Sequence, residues 1–158
     1  MKILSLDYGD KRIGLALGDT QAHVAVPYGI LENRGRIYIF HQLKILIAKE
    51  DIGKLLVGIP LAMHRSKATG AWLALNENRR SNEVRSKNIP NEQMQKVLDF
   101  IDDARNAVVI PIETIDERLS SREADNRTHG QKKNAVASRD AIAATIILQN
   151  HLDRANQE

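Results

Sequence analysis

Cysteine is absent from this chain of 158 residues, which excludes a disulfide framework, a thiolate zinc or iron–sulfur site, a redox pair and a cysteine nucleophile together. Any metal here has only oxygen and imidazole ligands to draw on. Aromatic residues make up just 4% of the chain, so the core must be built from Ile, Leu, Val and Ala, and stacking platforms for single-stranded nucleic acid are scarce. No run approaches the roughly 18 apolar residues of a membrane span. The opening residues, Met1 to Asp7, place a carboxylate where a signal peptide needs its apolar region. These absences predict a soluble, cytoplasmic protein with no membrane partner, and the length predicts one domain over residues 1–158.

What charge there is lies unevenly. The net charge is +3. From Arg118 to Arg139, six basic residues (Arg118, Arg122, Arg127, Lys132, Lys133, Arg139) face two acidic ones (Glu123, Asp125), a local surplus larger than that of the whole chain. A basic block of this kind suits a polyanion, although a solvated loop has the same composition.

Hydrophobic spacing then orders the chain. Residues 3–7 form a short apolar run, Tyr8-Gly9-Asp10-Lys11 is a turn signal, and Arg12 to Asp19 resumes the run, which together predict a β-hairpin. A third strand is expected from Ala25 to Leu31, with Pro27 marking an edge or a bulge. Between Ile37 and Lys49 the spacing of Ile39, Leu43, Leu46 and Ile47 becomes helical, and Asp51-Ile52-Gly53 ends it. Leu55 to Pro60 follows as a buried strand. Residues 62–92 are an atypical polar segment, with Trp72, Leu73 and Leu75 as its cluster of large apolar side chains, and are expected to be exposed and partly mobile. Met94, Val97, Leu98, Ile101 and Ala104 restore a helix, Ala107 to Ile115 reads as a strand ending at Asp116, and a short helix is expected after Ser120. The final helix spans Ser138 to Leu152, with Ile142, Ala143, Ile146, Ile147 and Leu152 on its apolar side. Three antiparallel strands followed by two parallel ones give an α/β fold, a five-stranded mixed sheet flanked by helices.

Acidic residues fall at the ends of these elements. Asp7 closes the first strand, Asp116 and Glu117 close a later one, and Asp140 opens the last helix. Carboxylates brought together repel unless a cation lies between them, and with no thiolate available that cation is Mg²⁺ or Mn²⁺. Two such ions activate a water and stabilise the leaving oxygen in phosphodiester hydrolysis. Taken singly, each residue has a plainer role: Asp140 as a charge at a helix N-terminus, Asp7 as a turn residue, Glu117 as a surface partner of Arg118. Only their joint placement favours the metal.

Four blocks carry a resemblance: Asp7-Tyr8-Gly9-Asp10-Lys11-Arg12-Ile13-Gly14-Leu15-Ala16, Val57-Gly58-Ile59-Pro60-Leu61, Asp116 to Ala124, and Asp140 to Gln149. In sequence and order they resemble the signature blocks of the YqgF/RuvX family, within the RNase H-like superfamily, whose members are described as pre-16S rRNA nucleases or Holliday junction resolvases. The resemblance implies an RNase H-like fold and a metal-dependent nuclease using Mg²⁺ or Mn²⁺. It also implies Asp7, Glu117 and Asp140 as catalytic metal ligands, with Lys11, Arg12, Arg118, Arg122, Lys132, Lys133 and Arg139 toward nucleic acid. Pre-16S rRNA, in ribosomal precursor particles, is the favoured substrate, and branched DNA, which calls for a homodimer rather than a monomer, is the alternative. His129, in the basic loop, is a candidate for proton transfer to the leaving group. A catalytically weak nucleic-acid-binding module is the reading from another class, and an actin-like nucleotide-binding fold is disfavoured by the short chain. The sequence departs from the family pattern at Ala62-Met63-His64-Arg65-Ser66-Lys67, where a glycine-containing stretch is usual, and the interval from Glu117 to Asp140 is slightly short.

Overall fold

A computed structural model describes residues 1–59, 92–116 and 139–155. Along them run β1 (Lys2–Tyr8), β2 (Arg12–Asp19), β3 (Val24–Glu32), α1 (Arg36–Glu50), β4 (Ile52–Ile59), α2 (Glu92–Ala107), β5 (Ile112–Asp116) and α3 (Arg139–Ala155). The five strands form one sheet in the order β3-β2-β1-β4-β5. β1 pairs antiparallel with β2, and β2 with β3, whereas β1 with β4 and β4 with β5 are parallel. The mixed sheet expected from the sequence is therefore present, with β1 central, where the antiparallel and parallel halves meet.

Strand alternation gives the sheet two different faces. Leu4, Leu6, Ile13, Leu15, Leu55 and Val57 pack with Ile39 and Leu43 of α1 and with Val97 and Phe100 of α2. On the opposite face Ile3, Ala16 and Leu56 meet Ala144, Ile147, Leu148 and Leu152 of α3. Phe100, absent from the sequence-predicted helix face, is wholly buried and stacks on Tyr8 and Phe40 at centroid distances of 4.6 and 5.6 Å. Few as the aromatics are, three of them converge under the end of β1.

Several boundaries move. β4 starts at Ile52 because Asp51 alone turns the chain, in the left-handed region at φ 55°, with its N–H donating to the Ile47 carbonyl. The strand expected over residues 107–115 begins only at Ile112. Ala107 still belongs to α2, whose last turn hands on to the Val108 N–H bonded to the Ala104 carbonyl. Pro111 has no N–H to offer the ladder, but its carbonyl accepts from Leu55 and so opens the pairing. Pro27 sits at the register shift of the edge strand β3, as expected. On α3 the buried side is Ala141, Ala144, Ile147, Leu148 and Leu152, while Ile142 is exposed. The helix is apolar nearly all round in its first turns, and there the small Ala141 and Ala144 rather than Ile142 face the sheet.

That choice of small residues is matched on β2. Gly14, Ala16 and Gly18 alternate on the α3 face, and a Cβ on Gly18 would come within 2.8 Å of Leu148. β1 contributes Ser5, buried and without a hydrogen-bond partner for its hydroxyl. A larger side chain there would lift the helix. The polar segment 62–92 (apart from Glu92) and the short helix after Ser120 lie outside the described residues.

Candidate metal centre at the end of the central strand

Three parallel strands end on the same side of the sheet. Leu6 is in register with Val57, and Ile59 with Asp116, so the carboxyl ends of β1, β4 and β5 share an edge. Open α/β sheets place their ligands in the crevice outside such strand ends. Asp7 stands there on the α3 face of β1, directly opposite Gly14 of β2. Asp140, in the first turn of α3, closes over the same point.

Gly14 is the reason the two carboxylates can meet. A Cβ at that position would lie 1.9 Å from the Asp140 carbonyl oxygen and 2.9 Å from the Ala141 nitrogen. Its φ is ordinary, since Gly29 and Gly35 are the described glycines with positive φ. Gly14 therefore serves close approach rather than a special turn. Gly9 is similar in kind: its N–H donates to the Arg12 carbonyl at 3.1 Å, and a Cβ would meet that oxygen at 2.6 Å.

The electrostatics follow from this packing. Asp7 is mostly buried, and burial pushes its carboxyl up to about 6, with the charge of Asp140 adding to the rise. Asp140 is paired with Arg12, whose Nε lies 3.2 Å from Oδ2. Among the described residues no basic side chain is paired with Asp7. The pair thus carries more negative charge than one guanidinium offsets, and its donors are hard carboxylate oxygens. Such a donor set fits a divalent cation of the Mg²⁺ or Mn²⁺ kind.

The turn after Asp7 is pinned from both sides. Asn33 donates to the Gly9 carbonyl at 3.1 Å and to the Tyr8 hydroxyl at 3.2 Å, and Gln93 donates to the Tyr8 carbonyl at 3.1 Å. Lys96 pairs with Asp10 at 3.2 Å, and the Arg36 guanidinium lies 5.3 Å from the Tyr8 ring centroid. These supports were not legible in the sequence. No local motif links residues so far apart along the chain.

Of the predicted site residues, Asp7, Arg12 and Asp140 come together. Lys11 is exposed in the hairpin turn and Arg139 is exposed at the start of α3, one residue before Asp140. Glu117, Arg118, Arg122, Lys132 and Lys133 lie outside the described residues, as does His129. Asp116, at the end of β5, places the chain on the site's edge of the sheet immediately before Glu117. Among the described residues, no group of three or more His, Asp or Glu side chains gathers to hold a metal. No helix among them is long and apolar enough to cross a membrane.

Comparison with known proteins places this arrangement. The profile of the RuvX family, described as Holliday junction resolvase, matches residues 1–79 and 82–154. A protein of Maridesulfovibrio salexigens named "Putative pre-16S rRNA nuclease" is 32% identical, over 98% of this chain and 100% of the relative. One of the same name from Paraburkholderia xenovorans is 34% identical, over 96% of this chain and 87% of the relative. Among solved structures, Thermus thermophilus RuvC in complex with a Holliday junction substrate is similar with a TM-score of 0.58 at 13% identity, over 99% of this chain and 96% of that one. The expected RNase H-like architecture is that of RuvC.

Proposed function

The chain belongs to the RuvX family, and from that premise we infer that it is a nuclease hydrolysing phosphodiester bonds and propose that its substrate is the 5′ end of precursor 16S rRNA. The observation that carries the site assignment is the seating of the Asp140 backbone on Gly14, opposite Asp7. Asp7 and Asp140, with Glu117 as the third carboxylate, would hold Mg²⁺ or Mn²⁺. When bound, the cations supply an activated water and charge stabilisation at the leaving oxygen. Asp7, shielded from bulk water by burial, would be one of the ligands, and a divalent cation would favour its ionised form over the protonated one. Asp140 is delivered by the rigid start of α3. Arg12, Lys11 and Arg139, at the rim, supply cations for phosphate oxygens, and Arg118, Arg122, Lys132 and Lys133 are proposed as further nucleic-acid contacts. We read the whole chain as one domain working in the cytoplasm on ribosomal precursor particles.

Resolution of four-way DNA junctions is the second reading, favoured by the RuvC-like sheet and requiring two copies of the chain on symmetry-related strands. One experiment separates the two. Labelled pre-16S fragment and labelled four-way junction are incubated side by side with the protein and Mn²⁺. Cleavage of the RNA at its 5′ precursor segment, with the junction intact, is the expected result. Symmetric nicking of the junction alone would replace the RNA reading by the DNA one, and retention of both without cleavage would make the protein a binding module.

A further inference from the structure

The ion pair between Arg12 and Asp140 has a form that suits exchange rather than permanence. A single Nε contact at 3.2 Å joins the two, not the two-pronged geometry that makes arginine–carboxylate pairs strong. The Arg12 side chain is 57% exposed and that of Asp140 is 31% exposed, a setting in which such pairs contribute little to stability. The backbone that carries this side chain, by contrast, is fixed. Arg12 opens β2, its carbonyl accepts from the Gly9 N–H at 3.1 Å, and its register partner on β3 is Glu32. That carboxylate is already occupied, since Arg34 binds Glu32 through Nη2 at 2.5 Å and Nε at 2.7 Å. Arg12 is left to Asp140.

We propose that Arg12 is a displaceable counter-ion of the metal centre, which holds Asp140 while no cation is bound and releases it when a divalent cation binds. The inference rests on the reading of Asp7 and Asp140 as metal ligands. A divalent cation on Asp140 repels a guanidinium only 3.2 Å from Oδ2, so the two compete for this carboxylate. Once released, Arg12 stays at the centre because the hairpin fixes its backbone, and its charge becomes available to the phosphate whose hydrolysis the cations support. One residue then does two jobs in sequence: it limits repulsion between carboxylates in the metal-free protein and adds a phosphate contact in the loaded one.

Two measurements on the intact protein test this, neither of them an activity assay. Mn²⁺ is titrated calorimetrically into wild type, Arg12→Gln, Lys44→Gln and Asp7→Asn. Removing the competitor should tighten Mn²⁺ binding by Arg12→Gln by about two- to fivefold, the range an exposed ion pair allows. Lys44→Gln removes the same charge from an exposed position on α1, across the sheet from α3, and should change little. In parallel, the Arg12 Nε–H resonance is followed by nitrogen–proton NMR during a Mg²⁺ titration and should move toward the position of a free arginine, saturating with the metal. Unchanged or weaker Mn²⁺ binding by a folded Arg12→Gln, equal tightening by Lys44→Gln, or an Nε signal that ignores saturating Mg²⁺ would each overturn the proposal. Binding that needs Asp7 but is indifferent to Arg12 sinks this inference alone. Wild-type binding that Asp7→Asn leaves intact sinks the metal reading beneath it.

Discussion

Asp7 gives the centre its pH dependence. In the metal-free protein its carboxyl is raised from 3.8 to about 6, first by burial and then by Asp140. Between those values the folded state holds a proton that the unfolded chain has lost, so this residue's contribution to stability is fully present below 3.8 and disappears as pH rises through 6. At neutral pH the ionised side chain costs on the order of 3 kcal/mol of stability. Asp7→Asn should therefore raise the melting temperature in the presence of a chelator at about pH 7.5 and have little effect at about pH 4. Thermal unfolding of both proteins at the two pH values checks this, and an equal difference at both would contradict it. Mg²⁺ should reverse the order at the higher pH, because only wild type gains the binding free energy. At this scale the sequence revealed the carboxylates and Arg12 but not their supports. The bonds from Asn33 and Gln93 to the turn after Asp7 span 24 and 85 positions, and no periodicity reports on contacts at that range.

Elements decide where those residues stand, and here the small side chains of β2 matter most. The structure needs Gly14 so that α3 can rest on the sheet with Asp140 against Asp7. Gly14→Ala drives a Cβ into backbone atoms that have no rotamer to escape through. It should cost more than about 2 kcal/mol by displacing the helix start, and reduce metal binding beyond what the lost stability explains. Gly53→Ala is the matched control. Its Cβ would meet the flexible Met1 side chain at 2.6 and 2.9 Å, which can move aside, so a shift in melting temperature of no more than a few degrees is expected. Equal effects of the two substitutions, measured by denaturant unfolding and Mn²⁺ titration, would contradict this account of how the site is built. Strands and helices were legible wherever one face is buried and the other is not. The reading failed at residues 107–111, where an apolar run spans the end of α2 and a turn and Val109 points into solvent. It failed also on the face of α3, because apolar residues surround that helix and only the glycines opposite reveal which side docks.

For the whole molecule, the order of elements was readable because a hairpin meander followed by strand, helix, strand admits few sheets. The central position of β1 in turn brings its end beside the ends of β4 and β5. Function was readable only in part from composition. A net charge of +3 is too small to mark a nucleic-acid enzyme, whereas two carboxylates from opposite ends of the chain meeting over a glycine are what the proposed metal site rests on. The central claim is that Asp7 and Asp140 form the divalent-cation centre of a nuclease. Cleavage of a labelled pre-16S fragment is its most direct test, measured across a Mg²⁺ titration for wild type and for Asp7→Asn with folding verified by circular dichroism. Wild type should cleave only with the metal and lose activity to a chelator, and the folded variant should fall by more than a hundredfold, beyond the roughly 10- to 100-fold typical of residues that merely support a ligand. A folded Asp7→Asn that cleaves as fast as wild type, or cleavage indifferent to Mg²⁺, would contradict it.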